Sequence, residues 1–427
     1  MINDFIFSNK KKYPDKICIS YNDNFISNDQ LHSQINKIAN FASSTYSSKI
    51  IALKIYDPIL LLETLIALNR IDVIPVICPN TRNVDNYLSD NNITDIIDDK
   101  VALDAICTYK EINNEKKKYK KDSTQLIIFT SGSEGEPKAV ELTYDNIYSS
   151  AISWHKVVKF DCNDLYINAL PIYHISGLSI FFRSIIYNLH MNVIKFDSES
   201  VLKIIQNHSN VIISLVPTML KRMLNKGLAN FTENIKSIIV GGDNLPQLYA
   251  LECNKNKIPL YISYGMTETS SGIAGFWAIN GDLDNYKYKA HNNVNINVNK
   301  SIISIDSRMV MKSYYKKIKT NNLFSTNDLG FINSDNTLSI IGRNDNIVIS
   351  GGENISLNFI YKVIIGHKFV KECILKIVDD DEWGKNIEAN LILEDNSSHS
   401  VNFYRKLFKK KLPSFMVPKI IRIVSKA

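Results

Sequence analysis

Short apolar runs alternate with amphipathic stretches along most of the chain. Residues 50–55 and 73–77 have the continuous apolar pattern of buried strands, whereas residues 31–41 and 59–68 have apolar positions at helical spacing. Strands that alternate with helices are typical of a largely parallel sheet covered by helices. We therefore predict an α/β protein whose large N-terminal domain has mostly parallel sheets and flanking helices.

The last part of the chain has a different pattern. A polar break with the sequence Gly-Arg-Asn-Asp-Asn at residues 342–346 separates it from the long first part. A chain of 427 residues is also too long for one average domain. We predict a large N-terminal domain at residues 1–344 and a small, mobile α+β C-terminal domain at residues 345–427.

A loop rich in hydroxyls and glycines follows the predicted strand at residues 125–129. Glycines free the backbone to present its N–H groups, hydroxyls add donors, and a lysine adds a mobile charge, so the loop suits a polyphosphate. Its candidate binding residues are Thr130, Ser131, Gly132, Ser133, Gly135 and Lys138. It lacks the Gly-Lys-Ser/Thr ending of a Walker loop, and residues 139–142 alternate like a strand. We expect phosphates to be held without a helix dipole.

Two more polar turns follow apolar runs. Residues 237–240 lead into Gly242 and Asp243, and residues 260–263 lead into the sequence Tyr-Gly-Met-Thr-Glu-Thr at residues 264–269. Ligands bind outside the carboxyl ends of the strands in open parallel sheets. We predict that the three turns converge on one cleft.

The composition is that of a globular protein, with 45% apolar and 22% charged residues. The chain shows no apolar run of bilayer length and no secretory leader at Met1, so we expect a soluble, cytoplasmic protein without a membrane span. The six cysteines are scattered without a Cys-x-x-Cys pair, which favours free thiols over a zinc or disulfide framework. The lysine-rich run at residues 116–121 is interpreted as a solvated linker. Nucleic-acid binding is the alternative, but no base-reading motif accompanies the run, so we expect no nucleic-acid partner.

Several motifs occur in an order that resembles the adenylate-forming acyl-CoA synthetases, the AMP-binding superfamily. They are the hydroxyl-glycine loop, Tyr264-Gly265-Met266-Thr267-Glu268, Ser325-Thr326-Asn327-Asp328-Leu329-Gly330, and Gly342-Arg343 with Gly351-Gly352-Glu353-Asn354. The resemblance covers nearly the whole chain. Residues 170–187 and 216–224 are in addition similar to the o-succinylbenzoate–CoA ligases of menaquinone biosynthesis.

The resemblance implies an ATP-dependent carboxylate–CoA ligase. In this family an acid attacks the α-phosphorus of ATP, which gives an acyl-adenylate and pyrophosphate, and the thiol of coenzyme A then takes the acyl group. The implied cofactors are ATP, Mg²⁺ and coenzyme A, and o-succinylbenzoate is the best single candidate for the acid. A homodimer is left open.

The resemblance also assigns roles to individual residues. In the hydroxyl-glycine loop, Lys138 and the hydroxyls would hold the β- and γ-phosphates. Thr267 would contact the α-phosphate, and Glu268 would hold Mg²⁺, a cation that prefers carboxylate and phosphate oxygens. His174 would border the acyl pocket. We therefore take Lys138, Thr267, Glu268 and His174 as the catalytic candidates and Glu268 as the metal ligand.

The nucleotide and coenzyme A would be held by a second set of residues. The ring of Tyr264, beside Gly265, would face adenine, and Gly242 and Asp243 would line the purine edge. Asp328 would accept both ribose hydroxyls because a carboxylate is a double acceptor, and Arg343 would add a charged contact. The remaining pair, Gly351 and Gly352, would let the pantetheine arm pass close to the backbone.

Each of these residues also has a purely structural interpretation. Tyr264 could be a core or rim aromatic, and Asp328 could be a turn residue before Gly330. Glu268 could simply accept backbone N–H groups at a turn, and His174 could be satisfied inside a core. The order of the motifs favours the functional interpretation.

The chain departs from the family pattern in three places. Leu357, Phe359 and Tyr361 stand where relatives have a proline and two glutamates, and residues 277–325 form a shorter segment than expected. Lys426 lacks the glycine of the terminal glycine-lysine motif, whose lysine bridges the acyl carboxylate and the α-phosphate. If this chain is the whole protein, we therefore expect slow adenylation. The alternatives are adenylation for a carrier-protein thiol and a degenerate nucleotide- or acyl-adenylate-binding protein.

The break at residues 342–346 generates a prediction, since Asp345 falls on the family's hinge position. Replacing Asp345 with proline should slow thioester formation more than adenylation, because only the second half-reaction requires rotation of the small domain. Single-turnover measurement of each half-reaction tests this. Equal losses in both would contradict the hinge assignment.

Overall fold

The structure is a computed structural model of the chain. It describes residues 2–79, 82–111, 120–131, 137–283, 286–343, 347–350, 353–367, 369–380, 384–393 and 399–424. The predicted site residues that lie outside these ranges are Gly132, Ser133, Gly135, Gly351 and Gly352, together with the predicted hinge residue Asp345.

Helices and strands alternate through the first part of the described chain. The α-helices are α1 (Ile2–Lys12), α2 (Asn28–Thr45), α3 (Pro58–Arg70), α4 (Arg82–Asp90), α5 (Asp99–Thr108), α6 (Tyr144–Val158), α7 (Ile175–Tyr187), α8 (Ser198–Asn207), α9 (Pro217–Asn225), α10 (Gln247–Lys255), α11 (Leu357–Ile365) and α12 (Val401–Lys409). The two helices predicted from residues 31–41 and 59–68 lie within α2 and α3 and are confirmed.

The strands follow the same order of the chain. They are β1 (Ile17–Tyr21), β2 (Asn24–Ser27), β3 (Ile50–Lys54), β4 (Ile74–Ile77), β5 (Ile96–Asp98), β6 (Thr124–Ser131), β7 (Pro137–Thr143), β8 (Leu165–Asn168), β9 (His190–Val193), β10 (Val211–Leu215), β11 (Ile235–Val240), β12 (Leu260–Met266), β13 (Ser271–Trp277), β14 (Lys289–Ala290), β15 (Asn295–Asn299), β16 (Ile302–Asp306), β17 (Ser313–Tyr314), β18 (Leu323–Ile332), β19 (Leu338–Arg343), β20 (Ile347–Ser350), β21 (Glu353–Ser356), β22 (Val370–Asp380), β23 (Gly384–Leu393) and β24 (Ile420–Ile423). They form five sheets.

The two large sheets are both mixed. In the nine-stranded sheet, with the order β14-β13-β12-β11-β10-β8-β9-β1-β2, the six strands from β12 to β1 run parallel and the outer strands are antiparallel. In the six-stranded sheet, with the order β17-β7-β6-β4-β3-β5, the strands from β6 to β5 run parallel. Strand β7 is antiparallel to β6, and β17 is antiparallel to β7. The predicted α/β class with mostly parallel strands is confirmed.

The three turns that are predicted to bind ligand do not come from one sheet. The hydroxyl-glycine loop joins β6 to β7 in the six-stranded sheet, whereas β11 and β12 are parallel neighbours in the nine-stranded sheet. Whether the three turns converge on one cleft therefore depends on how the two sheets pack together, and not on the edge of a single sheet. A strand was predicted on each side of this loop, and β6 and β7 confirm it. Strand β7 ends at Thr143, whose side chain caps helix α6 by accepting a hydrogen bond from Asn146 N.

A shared apolar core holds the two large sheets together. The largest cluster of buried side chains includes Leu53 and Ile128 from the six-stranded sheet and Ile19 and Tyr166 from the nine-stranded sheet, together with residues of α2, α3, α6 and α7. Helix α3 is buried along most of its length, since Leu62, Leu65 and Ile66 have no exposed surface. Helices thus fill the space between the sheets, as expected for a layered α/β domain.

The smaller sheets follow the two large ones in the chain. Strands β15, β16, β18 and β19 form an antiparallel sheet, β20 and β21 form a hairpin, and β22, β23 and β24 form a three-stranded sheet. Residues of α11, α12 and this last sheet have their own apolar cluster, which includes Ile360, Ile387, Tyr404 and Phe408. The division at residue 345 stays a prediction. Among the described residues, no helix has both the length and the apolar character needed to cross a bilayer.

Candidate active site

The hairpin of β6 and β7 carries the described end of the hydroxyl-glycine loop. Thr130 on β6 pairs with Lys138 on β7, and Ser131 is the last residue of β6. The side chain of Lys138 is exposed, and its Nζ lies 5.9 Å from the ring centroid of Tyr314. An exposed lysine with a flexible side chain can reach an incoming phosphate.

A short turn between β12 and β13 presents Thr267 and Glu268. Thr267–Thr269 form a single 3₁₀ turn, and Glu268 Oε1 accepts a hydrogen bond of 2.8 Å from the hydroxyl of Tyr314. The carbonyl oxygen of Glu268 accepts a bond of 2.7 Å from Met311 N. The carboxylate is therefore bound by a side chain, and does not only accept backbone N–H groups as the structural interpretation supposed.

Gly265 has a packing reason for being glycine. A Cβ at this position would lie 2.2 Å from the carbonyl oxygen of Ser271 and 2.4 Å from Gly272 Cα. The antiparallel neighbours β12 and β13 lie too close together here for any side chain. Gly265 thereby permits the turn that carries Glu268.

Tyr264 and Asp328 form the second pair of the site. The hydroxyl of Tyr264 donates to Asp328 Oδ2 over 2.6 Å, and Asp328 pairs with Arg343 across strands β18 and β19. Burial, and then the charge of Asp328, raises the pKa of Tyr264 well above its ordinary value, so the phenol keeps its proton and donates. Asp328 lies within strand β18, so its interpretation as a turn residue was wrong.

Gly242 and Asp243 follow β11. Gly242 has a φ of 83°, a left-handed conformation that favours glycine, and Asp243 is exposed. The charge of Asp243 raises the pKa of Lys362 on α11, against a larger lowering by burial. Asp243 therefore follows strand β11 and also lies near Lys362 of helix α11.

His174 stands at the start of α7 and is exposed to solvent. Its carbonyl accepts from Leu178 N, and its ring centroid lies 4.7 Å from that of Tyr173. Nearby protein atoms displace water and lower the pKa of His174, so the neutral imidazole is favoured near neutral pH. The interpretation of His174 as a core histidine was wrong, because the residue is exposed.

The sequence reasoning missed a buried polar network behind the turn of Glu268. Arg183 on α7 is 3% exposed and donates to Ser271 Oγ over 3.0 Å and to the hydroxyl of Tyr166 over 3.2 Å. Its guanidinium lies 4.5 Å from the ring centroid of Trp154, whose Nε1 also donates to Ser271. The signal was available, because an arginine in the apolar run of residues 175–187 is expensive to bury without a role.

Ser271 is held in an unusual backbone conformation. Its φ is 151° and that of Ser270 is 58°, and both values lie in the region that favours glycine. Ser150 Oγ lies 2.7 Å from Ser271 Oγ, and Ser150 and Ser270 line a cavity of about 10 Å³ between α6 and α7, which is the space of one water. In this structure the cavity is too small for an acid substrate.

The candidate site offers the carboxylate of Glu268 as a possible ligand to a magnesium ion. Among the described residues, no group of three His, Cys, Asp or Glu side chains could hold a metal ion by itself. Magnesium in nucleotide enzymes is usually bound by one or two carboxylates together with substrate phosphates. Glu268, facing the hairpin that bears Lys138 across Tyr314, fits that arrangement.

Comparison with known proteins identifies the family of this chain. Residues 59–297 match the model of the AMP-binding enzyme family. The chain belongs to this AMP-binding enzyme family.

Two curated relatives are 2-succinylbenzoate–CoA ligases. The protein of Bacillus licheniformis is 33% identical over 71% of this chain and 67% of its own length. The protein of Geobacillus sp. is 28% identical over 92% of this chain and 88% of its own length.

Solved structures share the fold. The o-succinylbenzoate CoA synthetase of Bacillus subtilis in complex with its acyl-adenylate intermediate is 25% identical, has a TM-score of 0.82, and is matched over 98% of this chain and 94% of that chain. MatB of Rhodopseudomonas palustris, at 20% identity and a TM-score of 0.85 over 99% of this chain and 94% of that chain, shows the fold alone.

The geometry around Asp328 predicts how nucleotide binding depends on it. Asp328→Asn should weaken ATP binding about tenfold to 100-fold, because the amide loses one acceptor and the charge that favours the ribose hydroxyls. Asp306→Asn on the neighbouring strand β16 is the matched control and should bind like the unmodified protein. Isothermal titration with ATP measures both. Unchanged affinity in Asp328→Asn would contradict the ribose assignment.

Proposed function

We propose that this protein joins 2-succinylbenzoate to coenzyme A through an acyl-adenylate. The chain is an AMP-forming acid–CoA ligase, and its cofactors are ATP, Mg²⁺ and coenzyme A. The choice of 2-succinylbenzoate is the finer step. Similarity to 2-succinylbenzoate–CoA ligases and the buried charge of Arg183 support it.

The reaction has two steps. In the first, a carboxylate oxygen of the acid attacks the α-phosphorus of ATP, and pyrophosphate leaves. In the second, the thiol of coenzyme A loses its proton and attacks the acyl carbonyl, and AMP leaves. When bound, Mg²⁺ supplies positive charge to the phosphate oxygens.

The residues of this chain would position ATP in the first step. Lys138 would stabilise the charge that develops on the leaving pyrophosphate. The carboxylate of Asp328, already aligned by Tyr264, would accept from the ribose hydroxyls. Glu268 would face the phosphates from the opposite turn, with its carboxylate aligned by Tyr314.

Arg183 is the single observation that carries the choice of acid. Within the described residues, no carboxylate forms an ion pair with this buried guanidinium, and its Nε has no hydrogen-bond partner. A buried cation is costly unless a negative charge compensates it. 2-Succinylbenzoate has two carboxylates, so one can be adenylated while the other approaches Arg183.

His174 and the small cavity lie along the path by which the acid would reach Arg183. Helix α7 has His174 at its exposed start and Arg183 on its buried part, and the cavity lined by Ser150, Ser179 and Ser270 lies between α6 and α7. We infer that the acid enters beside His174 and that the side chains around the cavity move apart as it binds. An acid without a second carboxylate would bury Arg183 without compensation.

The cytoplasm is the proposed location. The six cysteines are free thiols, as proteins of a reducing compartment have, and ATP and coenzyme A are consumed there. We propose small molecules as the partners of the reaction, with ATP, coenzyme A and the acid as the complete set.

The choice of acid predicts a pattern of substrate preference. 2-Succinylbenzoate should have a kcat/KM at least about 10²-fold above that of either monoamide, in which one carboxylate is replaced by a carboxamide. Release of AMP that depends on coenzyme A measures each rate. If no acid of this class supports AMP release, the proposed substrate is wrong.

The proposed role of Arg183 predicts that its replacement lowers kcat/KM for the diacid more than for the monoamide. Arg183→Gln should lower kcat/KM for the diacid toward that of the monoamide that lacks the carboxylate facing Arg183, and should change the rate with that monoamide little. Arg183→Lys, which keeps the charge, should lose less. Thermal unfolding of both variants checks that the network of Trp154 and Ser271 still folds. Equal losses for diacid and monoamide would show that Arg183 is only structural.

A further inference from the structure

One segment crosses from the turn of Glu268 to the hairpin that carries Lys138. Within residues 308–315, Met311 N donates to the carbonyl oxygen of Glu268, while Lys312 N donates to the carbonyl oxygen of Glu141 on β7 over 3.0 Å. Strand β17 then continues along β7, with Tyr314 opposite Val140. The segment therefore binds the nine-stranded sheet at one end and the six-stranded sheet at the other.

Tyr314 makes contact with both sides of the candidate site. Its hydroxyl donates to Glu268 Oε1 over 2.8 Å, and its ring centroid lies 5.9 Å from Lys138 Nζ. Its backbone is fixed on β7, two residues along the register from the pair formed by Lys138 and Thr130. A single side chain thus sets the position of the carboxylate relative to the strand of the lysine.

The contact leaves Glu268 aligned in a defined way. A carboxylate has two oxygens, and a donor on Oε1 fixes the rotation of the group and leaves Oε2 to face a cation. A tyrosine hydroxyl is protonated at neutral pH, and here it donates to Glu268 Oε1. A neutral phenol aligns the carboxylate without cancelling its charge.

We propose that Tyr314 is a positioning residue for the magnesium–ATP complex, which fixes the carboxylate of Glu268 at a set distance from the hairpin that carries Lys138. The proposal rests on the proposed function in one respect only, namely that the protein binds ATP with Mg²⁺. It does not depend on which acid is adenylated. Tyr314 acts through Glu268 and is not itself a catalytic residue.

The test compares ATP binding with and without magnesium, in the absence of any acid. Tyr314→Phe removes one oxygen atom and keeps the ring. Titration calorimetry should show that Mg²⁺ tightens ATP binding to the unmodified protein, and that this gain is about tenfold smaller in Tyr314→Phe. In EDTA, the ATP affinities of Tyr314→Phe and of the unmodified protein should agree within about twofold, because the hydroxyl does not touch ATP directly.

Two controls separate positioning from a general structural effect. Tyr315→Phe removes the hydroxyl of the next residue in the chain and should leave both affinities unchanged. In a Glu268→Gln background, Tyr314→Phe should cause no further change in the magnesium effect, because the group that it aligns is already altered. If Tyr314→Phe fails to unfold cooperatively, Tyr314→Gln and Tyr314→Leu repeat the comparison. These two side chains are similar in size, and only the glutamine has a hydrogen-bond donor.

The outcomes are distinct. An equal loss of affinity with Mg²⁺ and in EDTA, or an unchanged magnesium gain in Tyr314→Phe, would overturn the positioning role and leave the proposed function intact. Absence of ATP binding by the unmodified protein would overturn the proposed function itself. Failure of the acid panel alone would change the substrate and leave the role of Tyr314 standing.

Discussion

The candidate site depends on the fixed separation of two sheets. The six-stranded sheet carries the hairpin of Lys138, and the nine-stranded sheet carries the turn of Glu268. Among the described strands, those of one sheet form no hydrogen-bonded ladder with those of the other. The segment of residues 308–315 joins the two sides through Met311 and Tyr314. The buried apolar side chains between the sheets keep them packed, but apolar packing has no direction. Hydrogen bonds of the crossing segment supply the register.

Both carboxylates of the site are aligned by tyrosine hydroxyls. Asp328 accepts from Tyr264 and Glu268 accepts from Tyr314. Hydrogen bonds to a charged acceptor contribute about 1.5–3 kcal/mol each, enough to hold a carboxylate in one rotamer before ligand arrives. Both phenols keep their protons at neutral pH, so each can donate a hydrogen bond to its carboxylate. This arrangement reduces the ordering that ATP and Mg²⁺ would otherwise require on binding.

The network around Arg183 carries a cost that the fold by itself does not need. A fully buried guanidinium is held by neutral hydroxyls and the face of Trp154, and Ser271 keeps a backbone conformation that favours glycine. Strained residues and buried charges are concentrated at functional sites. The position of this network directly behind Glu268 connects the acid proposed for this enzyme with the nucleotide end of the site.

Local patterns in the sequence determined the α/β class, helices α2 and α3, the strand-to-strand setting of the hydroxyl-glycine loop and the order of the motif residues, because these depend on periodicity and on neighbouring side chains. Only the tertiary structure decided that the turns come from two sheets. It also paired Tyr314 with Glu268, 46 positions apart, and Arg183 with Ser271, 88 positions apart. Such contacts arise from the packing of sheets and helices, which no local pattern encodes.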